Sequence, residues 1–258
     1  MGNKEIISYY NKFCENKRLE SRHGQVEFFV ATKYIEKFAK DLSNKTLLDV
    51  GAGTGRYSIW AKKKGANVTA VELVKYNLGI LKTNDGSIKA MEGDARNLKK
   101  FKNDSFDIVL LFGPLYHILS YDEKLVALNE AKRVVKPNGL IFISYLNNEY
   151  AILKHGFMDG NLTSEINNGR VDKKFKTTAL VEDLYSYVDI SIIKKLSKDA
   201  RLKRIKMVAQ DGLTDYIRDS INKLTEAEFE LYKQYVLSRS SDPTMLGFSS
   251  HILDILTK

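Results

Sequence analysis

Apolar residues near the start of this chain recur with the period of a helix. Ile6, Tyr9, Tyr10, Phe13 and Cys14 fall at i, i+3, i+4, i+7 and i+8. Val26, Phe29, Val30 and Phe38 continue that period in a second segment, after a polar break over 18–24. From residue 46 the pattern changes. Thr46-Leu47-Leu48-Asp49-Val50 is a short apolar run of strand type, and Gly51-Ala52-Gly53-Thr54-Gly55 is a glycine-rich turn. Tyr57 to Lys64 reads as a helix stopped by Gly65, and Asn67 to Val71 as a second strand ending at Glu72. Together they make one βαβ unit.

The alternation then repeats. Tyr76 to Lys82 is helical, Ser87 to Met91 a weak strand, and Phe106 to Leu111 a strongly apolar one. Ser120 and Glu123 fit a capping box that opens a helix to about Val135. Lys136-Pro137-Asn138-Gly139 reads as a turn before a fifth strand, Leu140 to Tyr145. Strands alternating with helices predict an α/β fold with a doubly wound, mostly parallel sheet. Beyond Tyr145 the pattern breaks. Residues 147–180 are polar and lack a period, Ile190 to Ser197 looks helical, and Leu202 to Ala209 looks like a strand. Thr225 and Glu228 fit another capping box, and Phe248 to Leu256 reads as a last strand. The expected organisation is an N-terminal helical cap over 1–40 and one domain over 41–258. That domain would carry cap or lid insertions at about 147–190 and 212–240, because long irregular segments in compact domains are usually lids or binding elements.

Composition narrows the setting. No apolar run approaches the ~20 residues needed to cross a bilayer, and the first ten residues lack the apolar core of a signal peptide. Cys14 is the only cysteine of the 258 residues, which excludes an internal disulfide and a multi-cysteine metal site. A cytoplasmic protein without a metal is expected. The net charge of +9 raises the question of nucleic acid. The excess is dispersed, however. Its densest stretch, Lys194, Lys195, Lys198, Arg201, Lys203, Arg204 and Lys206, reads as a solvated face, with an RNA-binding surface as the competing reading.

The glycine turn carries the chemistry. Between strand and helix, glycines let backbone N–H groups approach a ligand that a Cβ would obstruct, and the helix N-terminus favours negative charge. The spacing Gly51-x-Gly53-x-Gly55 lacks the third glycine of the dinucleotide fingerprint, whose place is taken by Arg56. An NAD(P) reading is thereby weakened. Glu72, at the end of the second strand, can accept hydrogen bonds from the ribose hydroxyls of an adenosine ligand. Asp94 and Ala95 after the third strand can address an adenine edge.

These segments resemble the class I (Rossmann-like) S-adenosylmethionine (SAM)-dependent methyltransferases. Leu47 to Gly55 is similar to their first motif, Glu72 to their ribose-binding acid, and Gly93-Asp94-Ala95 to their adenine-side motif. Phe106-Asp107-Ile108-Val109 is similar to their fourth strand, and 136–139 to the turn before the fifth. The resemblance covers about 45–145. It implies a seven-stranded sheet whose last strand is antiparallel, with SAM as cofactor and S-adenosylhomocysteine (SAH) as product. It also implies cofactor contacts from Gly51, Ala52, Gly53, Thr54, Gly55, Arg56, Tyr57, Glu72, Leu73, Asp94, Ala95, Leu111 and Phe112.

Gly113-Pro114-Leu115-Tyr116-His117 follows the fourth strand. It stands where amino-directed nucleic-acid methyltransferases carry Asn/Asp-Pro-Pro-Tyr, but Gly113 has no side chain to hold a target amine. The form resembles bacterial members of the family that act on small molecules. Tyr116 and His117 are the expected catalytic residues, with His117 as a proton acceptor. Tyr9, Tyr10, Tyr116 and His117 are the expected substrate contacts. The resulting expectation is methyl transfer to N or O of a small molecule, without a membrane or nucleic-acid partner. The competing readings are an RNA-modifying methyltransferase, a SAM-binding accessory protein without catalysis, and an NAD(P)-binding oxidoreductase.

Overall fold

A computed structural model describes residues 4–10 and 20–258. Phe13 and Cys14, assigned above to the first helical stripe, lie outside them. The sheet has the strand order β3-β2-β1-β4-β5-β8-β7. Its strands are β1 (Thr46–Val50), β2 (Asn67–Glu72), β3 (Lys89–Glu92), β4 (Phe106–Leu111), β5 (Val135–Asn147), β7 (Lys203–Ala209) and β8 (His251–Thr257). Neighbours from β3 through β5 are parallel, and β8 runs antiparallel to both β5 and β7. This is the doubly wound, mostly parallel arrangement expected, with the last strand antiparallel. An eighth strand was not foreseen. β6 (Tyr187–Val188) pairs in parallel with Leu146 and Asn147, beyond Ile143, where β5 last pairs with β4.

Both faces of the sheet are covered, as a parallel sheet requires. Alternate residues of each strand point to opposite layers. Leu48, Val50, Val109, Leu111, Ile141 and Ile143 enter one core with α6 (Tyr121–Val134) and α8 (Ile190–Asp199). Leu47, Ile108, Leu110, Phe142 and Leu253 enter the other, with α2 (Arg22–Ala39), α3 (Arg56–Lys63) and α9 (Glu226–Arg239). Val26, Val30 and Ile35 of α2 are fully buried there. That helix is therefore a layer of the fold. Among the described residues of the expected 1–40 cap, α1 (Lys4–Tyr10) brings Ile6 and Tyr10 to the ligand edge, and α2 brings Glu27. No described helix is long and apolar enough to cross a membrane.

Local signals placed most boundaries. Thr225 and Glu228 form the complete capping box of α9. At α6 only half of the expected box forms: Ser120 accepts the Glu123 N–H, while the Glu123 carboxylate turns to Arg96. The turn at 136–139 lies inside β5, as an irregularity where the pairing steps from Phe106–Val135 to Ile108–Leu140. Asn138 takes φ 61° there, which lets the strand resume. The segment 147–190 folds into a π-helical turn (Ala151–Met158), α7 (Leu162–Asn167) and a strap that returns through β6.

Candidate active site

The glycine loop connects β1 to α3 at the carboxyl edge of the sheet. Gly51, Gly53 and Gly55 all adopt positive φ, at 75°, 56° and 93°, a region costly for side-chain-bearing residues. Space is also short. A Cβ on Gly51 would stand 2.7 Å from Pro114 Cγ, and one on Gly55 2.7 Å from Leu81 Cγ. The N–H groups of Gly51 and Ala52 bond the Val71 carbonyl, which ties the loop to the end of β2. Glu72 completes that tie. One of its carboxylate oxygens accepts the Gly53 N–H at 2.7 Å and the other the Val74 N–H at 2.8 Å. The side chain is buried, and it lines a cleft with the loop.

Asp49 lies beneath the loop and is buried. Burial pushes its carboxyl up to about 6, although the Ser58 hydroxyl donates to it at 2.6 Å. Folded Asp49 thus keeps its proton to higher pH than the unfolded chain, so its ionisation destabilises the fold as pH rises from about 4 to about 6. Asp49→Asn keeps the Ser58 hydrogen bond and removes this penalty. It should stabilise the protein by about 2–3 kcal/mol at pH 8. Urea unfolding should show the gain shrinking as pH is lowered below about 6.

The same cleft receives Asp94 and Ala95 from the turn after β3, and Phe112, Gly113 and Pro114 from the end of β4. Asp94 is not held open. Arg96 grips it through Nε at 3.0 Å and a terminal nitrogen at 2.6 Å, and reaches Glu123 at 2.7 Å. Arg56 lies over the Phe28 ring at 4.3 Å, and Tyr57 packs edge-on against Phe112 at 4.6 Å. Of the expected cofactor contacts, Gly51, Ala52, Gly53, Arg56, Tyr57, Glu72, Leu73, Asp94, Ala95 and Phe112 line the cleft. Thr54, Gly55 and Leu111 stand behind it. Thr54 and Leu111 are buried, and Gly55 packs on Leu81.

Over the end of β4, aromatic rings close the cleft. α5 (Pro114–His117) carries Tyr116 and His117. The Tyr116 hydroxyl donates to the Phe112 carbonyl at 3.1 Å. His117 is engaged at both nitrogens, by the Leu184 carbonyl at Nδ1 and the Tyr10 hydroxyl at Nε2, each at 2.9 Å. A carbonyl can only accept, so Nδ1 carries the proton and Nε2 accepts from Tyr10. Tyr185 lies within 5.1 Å of the His117 ring, 6.1 Å of Tyr116 and 6.4 Å of Tyr9. Tyr10, Tyr116 and His117 line the cleft, whereas Tyr9 joins the ring cluster from behind Tyr10. Lys124 pins the strap over α5. Its ammonium donates to the Ile118 carbonyl and to Ser186 Oγ, and burial lowers its pKa to about 7.

Several residues of the site carried no signal in the sequence. Glu27 of α2 is buried and lines the cleft. So is Asn77, whose Oδ1 has no hydrogen-bond partner among the described residues. Next to Tyr116, His23, Asp211 and His251 meet, buried, with their ligand-type atoms within 4.8 Å of one another. Hydrogen bonds through the shared Asp211 carboxylate join them. They are 188 and 40 residues apart along the chain, beyond the reach of any local motif.

Residues 48–143 match the family model described as a methyltransferase domain. The match supports an enzyme with SAM as its cofactor. A cypemycin N-terminal methyltransferase from Streptomyces sp is 33% identical over 107 residues, 40% of this chain and 43% of that one. A ubiquinone biosynthesis O-methyltransferase from Actinobacillus pleuropneumoniae serotype 7 is 29% identical over 122 residues, 44% and 51% of the two chains. This chain spans about half the length of these relatives. In fold it resembles a SAM-dependent methyltransferase from Thermotoga maritima described as a possible histamine N-methyltransferase. That match has a TM-score of 0.58 at 16% identity and covers all of both chains.

The cleft fits this cofactor on its own evidence. The loop keeps its close packing because Gly51 and Gly55 carry no Cβ to meet Pro114 and Leu81, and the Asn77 oxygen is an acceptor without a hydrogen-bond partner among the described residues. Glu27, Asp49, Glu72, Asp94 and Glu123 surround the cleft against Arg56 and Arg96, an acidic bias that suits a sulfonium and an α-ammonium group.

Proposed function

We propose that this protein is a SAM-dependent methyltransferase that transfers a methyl group to nitrogen or oxygen of a small molecule. One observation carries this reading: the aromatic chamber of Tyr10, Tyr116 and His117 opens into the same cleft as the glycine loop and Glu72. The bound cofactor supplies an activated methyl. What remains for the protein is to align the acceptor and exclude water. α1 and the strap at 184–186 roof the chamber through the Tyr10–His117–Leu184 hydrogen bonds. Within it Glu72 would hold the ribose, and Asp94 would face the adenine once Arg96 shares or releases it. Tyr10, Tyr116 and His117 would contact the acceptor, with Tyr9 backing Tyr10. Rings of this kind enclose apolar or cationic groups well.

The basic stretch argues less strongly for RNA. Lys195 pairs with Asp199 and lies over Tyr121 on the outer layer, and neither it, Lys194 nor Lys198 lines the cleft. A screen of small amines, phenols and carboxylates with methyl-labelled SAM should therefore give labelled product. Replacing Lys194, Lys195 and Lys198 together by Gln should leave that turnover nearly intact. Labelled tRNA or rRNA, with binding that collapses as salt rises, would reverse the assignment.

A further inference from the structure

We propose that a second cavity, behind the strap, binds a small organic ammonium ion and passes its occupancy to the aromatic chamber through Leu184 and Tyr185. The proposal goes beyond the reading above and does not rest on it. The cavity has a volume of about 280 Å³, near the lower end of sites that take small molecules. It lies within the segment 151–187, where the π-helical turn, α7 and the strap all contribute to its wall.

Charge is the first support. Glu165, Arg170 and Asp183 are the fixed charges of the wall. The Arg170 guanidinium is already engaged by two acids. Its Nε donates to both oxygens of Asp183, at 2.9 and 3.1 Å, and a terminal nitrogen donates to Glu182 at 3.0 Å. Arg170 Nε stands 4.0 Å from Glu165, whose carboxylate accepts no hydrogen bond from the described residues. One negative charge thus faces the cavity with only that distant partner. Tyr187 records the field: burial first, and then Asp215, Asp183 and Glu165, push its hydroxyl up to about 12.

The neutral polar groups are the second support. The side chains of Asn161, Thr178 and Tyr187 line the cavity with no side-chain hydrogen-bond partner among the described residues. His155 directs Nδ1 to Asp159 at 3.2 Å, which leaves Nε2 of the neutral ring as an acceptor. Each of these groups can accept a hydrogen bond. A primary ammonium carries three N–H donors and no acceptor, so it suits such a wall. A carboxylate would meet Glu165 at like charge. Ile152, Val171 and Leu184 supply apolar surface for a short hydrocarbon body, and the Tyr185 and Tyr187 rings favour a cation.

The shared strap is the third support. Leu184 and Tyr185 line this cavity, and the same two residues hold His117 of the chamber. The Leu184 carbonyl accepts from His117 Nδ1 at 2.9 Å, and the Tyr185 ring lies 5.1 Å from the His117 ring and 6.1 Å from that of Tyr116. A ligand that sets this segment sets the His117 ring with it.

Phenethylammonium and 3-phenylpropionate share a ring and a chain length and differ in charge. Both are titrated into the intact protein at constant pH and ionic strength. The chain has four histidines, so their ring signals can be assigned from single His→Asn variants and followed by NMR. Phenethylammonium should shift His155 saturably and His117 with the same midpoint, whereas 3-phenylpropionate should leave His155 in place. Glu165→Gln, on α7 and outside the glycine loop and the chamber, should weaken phenethylammonium binding roughly five- to tenfold at both signals. A His155 signal that does not move, that moves equally with both compounds, or whose midpoint ignores Glu165→Gln would overturn the proposal. So would a shift of His117 alone, which would put the amine in the chamber. His155 moving while His117 stays fixed would overturn the link through the strap. The readout uses neither cofactor nor turnover, so it is decided apart from SAH binding.

Discussion

Glu72→Ala should weaken SAH binding at least roughly tenfold, read by calorimetry on a protein whose circular dichroism is unchanged. Each hydrogen bond from a ribose hydroxyl to a carboxylate is worth roughly 1.5–3 kcal/mol, and a factor of ten needs about 1.4. The loss should exceed the ribose contacts alone, because Glu72 also holds the Gly53 and Val74 N–H groups. Glu72→Gln is the sharper variant. Both carboxylate oxygens accept from backbone, so turning either into an amide NH2 sets donor against donor. The Gln variant should therefore bind nearly as poorly as the Ala variant. An unchanged affinity in either would show that Glu72 does not hold the cofactor.

Removal of residues 1–10 should abolish methyl transfer, by about a hundredfold or more, while SAH affinity stays within about tenfold. α1 brings Ile6 and Tyr10 to the cleft and bonds His117, but the glycine loop, Glu72 and the turn after β3 belong to the sheet. Without α1 the chamber opens to water and the His117 ring loses its Tyr10 anchor. Tyr10→Phe should fall between the two, since it keeps the wall and loses only the hydrogen bond. Normal turnover by the shortened protein would remove α1 from the acceptor site.

The parts of this site that could be read in the sequence are those whose physics is local. A glycine turn between an apolar strand and a helix declares itself within ten residues, and so does the complete box at Thr225 and Glu228. Glu72 is marked by its place at a strand end. The resemblance to class I methyltransferases added the adenine-side turn and the antiparallel last strand. Most of what escaped is non-local. β6 is two residues long and exists only because β5 extends past the end of β4. One partner of His117 is a carbonyl 67 residues away. Asp94 looked like an open acceptor, yet Arg96, two residues on, turns back to grip it, and periodicity says nothing of such a local pairing. His23, Asp211 and His251 come from a helix, a post-strand turn and a strand start that only the sheet order brings together.

The central claim is that the glycine loop and Glu72 take the adenosine of SAM. Calorimetry of the unmodified protein with SAH, NAD and NADP tests it most directly. The account predicts saturable binding of SAH and none of either nicotinamide dinucleotide. Tight NAD or NADP binding with no heat from SAH would contradict it.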